Sequence, residues 1–209
     1  MKNNLIITIG RQYGSGGHQI AKELSKLLGI KMYDKELIDL ASKTSGISEE
    51  LLKSCDEKAT NSFLYSLSLG AYSMEHTFSG TPTMPLIDRV FAAQANVITE
   101  IAERESCIFV GRCADSILRD YDNVISVFIQ TDIERRIDRV CEYENISRDK
   151  AADIIRKADK KRASYYNYFS DRRWGNATTY DLCIDSRIGF ENVAMIIKFF
   201  SEHHNKKDN

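Results

Sequence analysis

The stretch Ile9-Gly10-Arg11-Gln12-Tyr13-Gly14-Ser15-Gly16-Gly17-His18-Gln19-Ile20-Ala21 decides the fold of this chain. The residues before it, 5–9, are β-branched and apolar on both faces, which predicts a strand buried on both sides. The residues after it carry apolar side chains at helical spacing, at Ile20, Leu24 and Leu28. A buried strand therefore runs through a glycine-rich turn directly into an amphipathic helix.

The glycine-rich turn has the composition of an anion-binding cradle at Gly14, Ser15, Gly16 and Gly17. Glycines let consecutive backbone N–H groups converge without Cβ clashes, and the amino end of the following helix adds partial positive charge. We therefore expect these four residues to hold a phosphate group. A tight strand-to-helix turn that needs glycine for packing alone would produce the same pattern.

The turn departs from the Walker A pattern G-x-x-x-x-G-K-[ST]. When Gly16 is placed on the second glycine of that pattern, Arg11 stands on the first. Gly17 then stands where the lysine belongs, and His18 stands where the magnesium-binding hydroxyl belongs. The cradle is kept while its cation and hydroxyl are lost, so Arg11 and His18 are candidate sources of positive charge.

Short apolar runs and helical patterns alternate along the rest of the chain. The further strand candidates are 30–33, 108–110, 124–129 and 182–184. Between them the spacing predicts a long helix at about 86–105, a helix after Thr131 with a capping box to Glu134, and a last helix after Gly189. Apolar strands that alternate with helices predict an α/β fold in which helices sandwich a parallel sheet of about five strands.

Two stretches interrupt this alternation. Residues 36–85 contain helical patterns but no strand, and they end in a loop rich in glycine and proline at 80–85. Residues 146–178 are polar, basic and aromatic. We expect both to be excursions from one domain that spans residues 1–209.

Composition excludes several classes of protein. The chain has 209 residues, of which 43% are hydrophobic, and its net charge of -1 gives no overall attraction for nucleic acid or an anionic membrane. No apolar run reaches the roughly 18 residues of a membrane span. Five scattered cysteines form no CxxC pair, which favours reduced thiols in the cytoplasm over disulfides or zinc. The four histidines form no metal-binding set, and the sequence leaves open a homo-oligomer.

The sequence resembles the cytidylate kinase-like group of nucleoside monophosphate kinases over nearly its whole length. The resemblance is carried by the segments 7–17, 33–37, 110–112, 159–166 and 180–185, and by the arginine-rich helix after Thr131. A Gly-Ser-Gly-Gly turn without lysine is typical of the kinase-like branch of that group. The resemblance implies a P-loop NTPase-type fold with a helical insert near 36–85 and a lid near 157–178. It also implies transfer of the γ-phosphate of ATP, with Mg²⁺, to a nucleoside monophosphate such as CMP.

The same resemblance implies two residues that bind the acceptor. Arg112 follows a strand and Gly111, and its planar fork suits a bidentate grip on the acceptor phosphate, although a loop arginine in solvent fits the pattern too. Cytidylate kinases have Asp after this arginine, whereas here Cys113 follows and Asp115 comes two residues later. Asp34 matches the acceptor region, but the glycine and arginine of that region are missing, and Asp34 also fits a helix N-cap. These departures put CMP in doubt as the acceptor.

The lid region concentrates positive charge. Residues 154–173 hold seven Lys or Arg against Asp159 and Asp171. Asp159 and Arg162 reproduce the Asp-x-x-Arg step of cytidylate kinase lids, so we expect Arg162, with Arg11 and Asp159, to act on the transferring phosphoryl group. A solvated helix face would give the same charge pattern.

Two other groups of side chains have open interpretations. Arg135 and Arg139 are four residues apart on one helix face, where arginines of similar kinases approach the donor nucleotide, although solvated arginines fit equally well. The aromatic residues after the lid helix, such as Tyr165, Tyr166 and Trp174, could stack on bases but favour packing of the lid onto the core.

The leading hypothesis is therefore an ATP-dependent, magnesium-assisted phosphotransferase with a nucleotide substrate. The first alternative is a non-catalytic nucleotide-binding module, because the turn lacks its lysine and hydroxyl. Nucleic-acid binding through residues 154–174 is the least favoured.

Overall fold

The computed structural model describes residues 4–55 and 84–204 of the chain. Its centre is one parallel sheet in the order β2-β3-β1-β4-β5. The strands are β1 (Ile6–Arg11), β2 (Lys31–Tyr33), β3 (Cys107–Val110), β4 (Val124–Gln130) and β5 (Leu182–Asp185). All five strands predicted from apolar runs are confirmed, and so is their parallel arrangement.

Helices cover both faces of this sheet. They are α1 (Gly17–Leu28), α2 (Glu36–Ser45), α3 (Glu49–Cys55), α4 (Leu86–Arg104), α5 (Ala114–Ile117), α6 (Ile133–Glu144), α7 (Arg148–Phe169) and α8 (Phe190–His203). Short 3₁₀ turns lie at Ala177–Thr179 and Ser186–Ile188. The long helix predicted at about 86–105 and the last helix predicted after Gly189 are confirmed.

Two apolar clusters separate the sheet from its helices. Ile7 and Ile9 of β1 point to the face that packs against α1 and α8, through Leu24 and Ile197. Ile6 points to the other face, which packs against α2, α3 and α4. Successive side chains of a strand alternate between faces, so a strand that is apolar at nearly every position fills both clusters. This is the physical reason why the continuous apolar runs identified the strands.

The strand register brings the two glycine-containing turns to one edge of the sheet. Ile9 pairs with Val110 of β3 and with Val127 of β4. The chain therefore leaves β1 and β3 side by side, and the amide of Gly111 donates to the carbonyl of Ile9 at 3.0 Å. Ligands of open α/β sheets bind beyond these carboxyl ends.

Three local features differ from the sequence prediction or add to it. The N-cap of α6 is Asp132, whose side chain accepts from the amide of Arg135, and not Thr131. The hydroxyl of Thr131 instead donates to Asp185 at 2.9 Å, so a tertiary partner replaces the capping box. The N-cap position of α2 is Lys35, without a side-chain cap, so Asp34 does not serve as the cap.

The insert and the lid are described to different extents. The part of the insert at 36–55 consists of α2 and α3, while residues 56–83, with most of the predicted loop at 80–85, lie outside the described residues. The lid range 157–178 covers the second half of α7 and the loop that follows it.

The aromatic side chains of the lid region pack onto the core, as predicted. Tyr165 and Tyr166 are buried against Cys113. Phe169 stacks on Phe91 of α4 with ring centres 4.0 Å apart. The ring of Trp174 meets Phe128 of β4 edge-on at 5.2 Å.

Two findings bear on the environment of the chain. Within the described ranges, no helix is both long and apolar enough to cross a membrane. Cys107, Cys113, Cys141 and Cys183 are free thiols.

Candidate functional site

The glycine-rich turn occupies residues 12–16, between the end of β1 and the start of α1. Gly14 and Gly16 adopt left-handed conformations with φ of 76° and 85°. The amide of Gln12 donates to Ile129 of β4 at 3.0 Å, and the hydroxyl of Ser15 donates back to the Gln12 carbonyl at 2.8 Å. The first hydrogen bond of α1 runs from the amide of Ile20 to Gly16. The three amides before Ile20 therefore have no acceptor within the helix, which is the usual basis of an anion site.

Packing inside the protein requires two of these glycines. A Cβ on Gly16 would lie 2.3 Å from the ring of Phe190 on α8. A Cβ on Gly17 would lie 2.6 Å from the Cβ of Arg11. The packing alternative therefore accounts for Gly16 and Gly17 whatever the turn binds, and the loss of the lysine from position 17 makes room for the stem of Arg11.

Helix α6 directs two arginines at the turn, and only one of them was singled out from the sequence. Nη1 of Arg139 donates to the carbonyls of Gly14 and Ser15 at 3.3 and 3.0 Å. Arg136 is buried, and its Nη1 lies 3.4 Å from the carbonyl of Tyr13. Arg135, which was expected on the nucleotide side with Arg139, is exposed and pairs with Asp132 at 3.0 Å.

Two residues of α7 also hold the turn. Asp159 accepts from the amide of Tyr13 at 2.7 Å through one carboxylate oxygen and from Arg136 at 2.5 Å through the other. Arg162 donates to the carbonyl of Arg11 at 3.1 Å, and its guanidinium lies over the ring of Tyr13. The predicted Asp-x-x-Arg step thus lies beside the turn, although both oxygens of Asp159 are occupied by the protein itself.

An open cleft lies at the carboxyl ends of β1 and β3. The residues that line it include Arg11, Arg112 and Arg162, which come from three separate parts of the chain. The remaining walls are Gly10, Gly111, Cys113, Asp115, Tyr165, Tyr166, Trp174 and Tyr180. Three of the lining residues are arginines, so positive charge is concentrated around this cleft although the net charge of the chain is only -1.

Arg112 reaches this cleft through an uncommon backbone conformation. Gly111, Arg112 and Cys113 have φ of 78°, 54° and 55°, so two consecutive non-glycine residues are left-handed. Such conformations are costly and are found preferentially at functional sites. Arg112 is only 4% exposed, so the alternative of a loop arginine in solvent is wrong.

A buried carboxyl forms the floor of the cleft beside Arg112. Asp115 accepts a hydrogen bond from the hydroxyl of Tyr166 at 2.6 Å. Burial raises the pKa of Asp115 above its ordinary value, with the hydrogen bond from Tyr166 acting in the opposite direction. Burial and the charge of Asp115 raise the pKa of Tyr166, and burial does the same for Tyr180.

His18 and Asp34 form a pair at the amino end of α1. Nδ1 of His18 lies 2.8 Å from a carboxylate oxygen of Asp34, which follows β2. Sequence reasoning placed His18 with the donor phosphates and Asp34 with the acceptor. The structure brings the two side chains together, so Asp34 orients the imidazole ring.

Sequence reasoning missed the role of Arg136 and of the pair formed by Asp115 and Tyr166. Arg136 lies four residues before Val140, on the buried stripe of α6, and an arginine on an apolar stripe is a signal that could have been noticed. No local signal identifies Tyr166 as the partner of Asp115, because the two residues are 51 positions apart.

The site offers few groups for a metal ion. Residues 4–55 and 84–204 contain no cluster of three or more His, Cys, Asp or Glu side chains that could hold one. Mg²⁺ bound together with a nucleotide takes its ligands mainly from phosphate and water.

A parallel sheet in the order β2-β3-β1-β4-β5, with a glycine-rich turn after its central strand and arginines beyond its carboxyl edge, is the fold of the P-loop kinases. The chain belongs to the cytidylate kinase-like family, whose family model matches residues 6–188. The expected family and the P-loop fold are thereby confirmed.

Solved structures are similar to the chain in fold. An uncharacterized protein from Eubacterium ventriosum ATCC 27560 is 28% identical with a TM-score of 0.70, over 96% of this chain and 99% of that chain. Shikimate kinase from Bacteroides thetaiotaomicron is 16% identical with a TM-score of 0.53, over 95% and 98% of the two chains. Shikimate kinase from Acinetobacter baumannii, in complex with shikimate, is 14% identical with a TM-score of 0.50, over 98% and 96%. No curated protein matches the chain.

Proposed function

We propose that the protein is an ATP-dependent phosphotransferase that moves a γ-phosphate to a nucleoside monophosphate or a similar small acceptor. The observation that carries this proposal is the convergence of Arg11, Arg112 and Arg162 on one cleft beside the glycine-rich turn. Phosphoryl transfer depends mostly on positioning and on neutralising charge spread over phosphate oxygens, and guanidinium groups perform both tasks.

Each part of the site has a role in this reaction. The amides at Gly14, Gly16, Gly17 and His18 hold the donor phosphates, while Ser15 shapes the turn through its hydrogen bonds to Gln12. Arg112 grips the anionic group of the acceptor. Arg11 and Arg162 lie between these two regions, where they stabilise the transferring group as negative charge develops on it. Asp34 orients the acceptor. Mg²⁺ would supply further neutralisation of the β- and γ-phosphates.

The loss of the lysine supports a second candidate, a nucleotide-binding module without turnover. Gly17 stands in the lysine position, and the stem of Arg11 packs against it. One electrostatic group of this kind is typically worth about 2.7–4 kcal/mol of transition-state stabilisation. The two functions share a binding site and differ only in turnover.

A coupled assay with ATP, Mg²⁺ and a panel of acceptors distinguishes the two functions. The panel contains all common nucleoside monophosphates and also shikimate, because two structural neighbours are shikimate kinases. We expect turnover of one acceptor class, together with a selective rise in melting temperature on adding that acceptor. ATP binding without turnover of any acceptor would favour the binding module, and absence of ATP binding would contradict both.

Variants on α7 test the role assigned to Arg162. Arg162→Gln removes a cleft guanidinium, and we expect kcat to fall 10²–10³-fold, as for loss of one oxyanion donor. The matched control is Arg156→Gln, on the same helix, where the side chain is exposed and pairs with Asp153. Equal activity of the two variants would contradict the role of Arg162.

The variant Arg11→Ala tests whether Arg11 binds the donor nucleotide or the acceptor. If Arg11 replaces the missing lysine, this change weakens binding of ATP more than binding of the acceptor. Isothermal titration of both ligands measures the difference. If the binding of both ligands is weakened equally, Arg11 does not take the role of the missing lysine.

Nucleic-acid binding through residues 154–174 has a separate test. Binding through phosphate contacts weakens steeply as salt concentration rises. A filter-binding titration with a flat salt response, or with no retention, would remove this alternative.

A further inference from the structure

Arg139 of α6 connects three separate parts of the structure around the glycine-rich turn. Its Nη1 lies 3.3 Å from the carbonyl of Gly14, 3.0 Å from that of Ser15 and 3.0 Å from the hydroxyl of Ser186. Its guanidinium also lies over the ring of Phe190, 4.8 Å from the ring centre. The same ring occupies the space that a Cβ on Gly16 would need. The side chain of Arg139 therefore holds the turn from α6, and it also contacts Phe190, whose ring packs against Gly16 of the turn.

The two carbonyls held by Arg139 fix the direction of the amides that follow them. A trans peptide unit is planar, so its C=O and N–H point in opposite directions. The described chain contains no cis peptide bond. Because the carbonyl of Ser15 points toward α6, the amide of Gly16 points away from α6. In that direction it can bind an anion together with the first amides of α1.

A turn of this composition needs such an external restraint. Three glycines in four positions give the unrestrained backbone more accessible conformations than any other residues would. A binding loop that must be ordered by its ligand loses affinity, whereas a loop held in advance does not. Gly17 offers no side chain with which the turn could hold itself.

We propose that Arg139 is a positioning residue that fixes the turn in the conformation needed to bind the donor phosphates. It acts from outside the turn, through backbone carbonyls, and does not touch the nucleotide. This inference rests on the proposed function and adds to it, because it assigns Arg139 to the shape of the turn, whereas the sequence pattern suggested direct contact with the donor.

The chemistry of arginine suits this task better than that of lysine. The two N–H bonds of Nη1 are shared among three acceptors, while the guanidinium lies over an aromatic ring. A lysine supplies hydrogen-bond donors but no flat surface for Phe190. Arg139→Lys should therefore restore only part of what Arg139→Gln removes.

Amide hydrogen exchange of the turn tests the restraint without relying on catalysis. The amides of Tyr13 and Ser15 are bonded to Asp159 and Gln12, so they exchange slowly while the turn keeps its shape. We expect Arg139→Gln to accelerate both at least tenfold, Arg139→Lys to accelerate them less, and neither to accelerate the amides of α4. The matched control is Arg148→Gln, which removes a guanidinium that binds the exposed carboxylates Glu134 and Asp138 of α6 without touching the turn.

Binding measurements with the same variants test the consequence for the ligand. Arg139→Gln should weaken binding of ATP at least tenfold and leave the affinity for the acceptor unchanged. Arg139→Lys should retain part of the ATP affinity that Arg139→Gln loses. Unchanged exchange in the turn, acceleration spread equally over α4, or equal weakening of both ligands would overturn the proposal. If the wild-type protein binds no ATP, the proposed function fails, while the exchange data still decide whether Arg139 fixes the turn.

Discussion

At the scale of single residues, neighbours distant in sequence determine which side chain each position tolerates. Gly16 illustrates this, since its left-handed φ of 85° and the nearby ring of Phe190 both exclude a Cβ. Gly29, at the end of α1, has a left-handed φ of 64° but nothing within 4 Å of a Cβ. The two glycines share the backbone requirement and differ in packing.

Alanine at these two glycines should separate the two costs. We expect Gly29→Ala to lower the free energy of unfolding by about 1–2 kcal/mol, which is the usual cost of a left-handed alanine. Gly16→Ala should lower it by about 2–4 kcal/mol, because overpacking against Phe190 adds to that cost. Urea denaturation measures both values. Equal losses of unfolding free energy would mean that the ring of Phe190 moves aside for the added Cβ without destabilising the protein.

Asp115 should give the stability of the protein a distinct pH dependence. Burial raises its pKa in the folded state, so the folded protein binds its proton more tightly than the unfolded chain does. The contribution of Asp115 to stability is then fully present below about pH 4, the ordinary range of aspartate, and is lost as the pH rises through the raised value.

Asp115→Asn tests this dependence. The amide keeps an oxygen that accepts from Tyr166 and cannot ionise, so the free energy of unfolding of the variant, relative to wild type, should increase from pH 4 to pH 8. Chemical denaturation across this range measures the difference between the two proteins. A difference that does not change with pH would contradict burial of the carboxyl.

At the scale of elements, α7 supports the glycine-rich turn, and its second half falls in the range 157–178 that the sequence predicts as a lid. Asp159 and Arg162 on α7 contact the backbone of Tyr13 and Arg11, and Arg136 on α6 completes the contact. The side chains of Arg136 and Asp159 are only 10% and 18% exposed. Movement of the middle of α7, where Asp159 lies, would therefore have to break a largely buried ion pair at the turn.

Neutralising the acid of this pair should be far more costly than neutralising an exposed acid of the same helix. Asp159→Asn leaves the buried guanidinium of Arg136 without its counter-ion, so we expect a loss of about 2–4 kcal/mol in the free energy of unfolding. Asp153→Asn, which breaks an exposed pair with Arg156, should cost about 0–1 kcal/mol. Thermal and urea unfolding of both variants decide this, and similar losses would refute the support assigned to Asp159.

At the scale of the whole molecule, the parallel sheet holds the site together. The turn after β1, the Gly111–Arg112 turn after β3 and the pair formed by His18 and Asp34 all lie beyond its carboxyl edge. The cleft lined by the three arginines lies at this edge as well. Ligand binding at this edge should therefore stabilise the whole sheet, including strands that do not touch the ligand.

Labelling of two cysteines measures that coupling. Cys107 is fully buried in β3, and burial raises its pKa to about 12, so it should react with iodoacetamide only when the sheet opens. Cys183 on the edge strand β5 is exposed and should react in the folded protein. Saturating ATP should slow labelling of Cys107 at least tenfold and leave Cys183 unchanged. Rapid labelling of Cys107 in the folded protein would contradict the burial of β3.

Much of the fold followed from the sequence because burial on both faces leaves a local pattern. The five apolar runs located every strand in the described part of the chain, helical spacing located α4 and α8, and the glycines located the turn. The arginines that line the cleft were recognised as well, because each stands next to a motif that the chain displays locally.

The tertiary structure alone decided which partner each polar group uses. Tyr13 and Asp159 are 146 residues apart, Gly14 and Arg139 are 125 apart, and Thr131 gives up its expected cap for Asp185, 54 residues away. Periodicity records whether a side chain faces the core, but hydrogen-bond partners depend on how whole elements pack against each other. For that reason the sequence by itself determined the sheet, the turn and the family. Only packing decided that Arg139 bonds the carbonyls of the turn, that Asp159 pairs with Tyr13 and Arg136, and that Asp115 is buried.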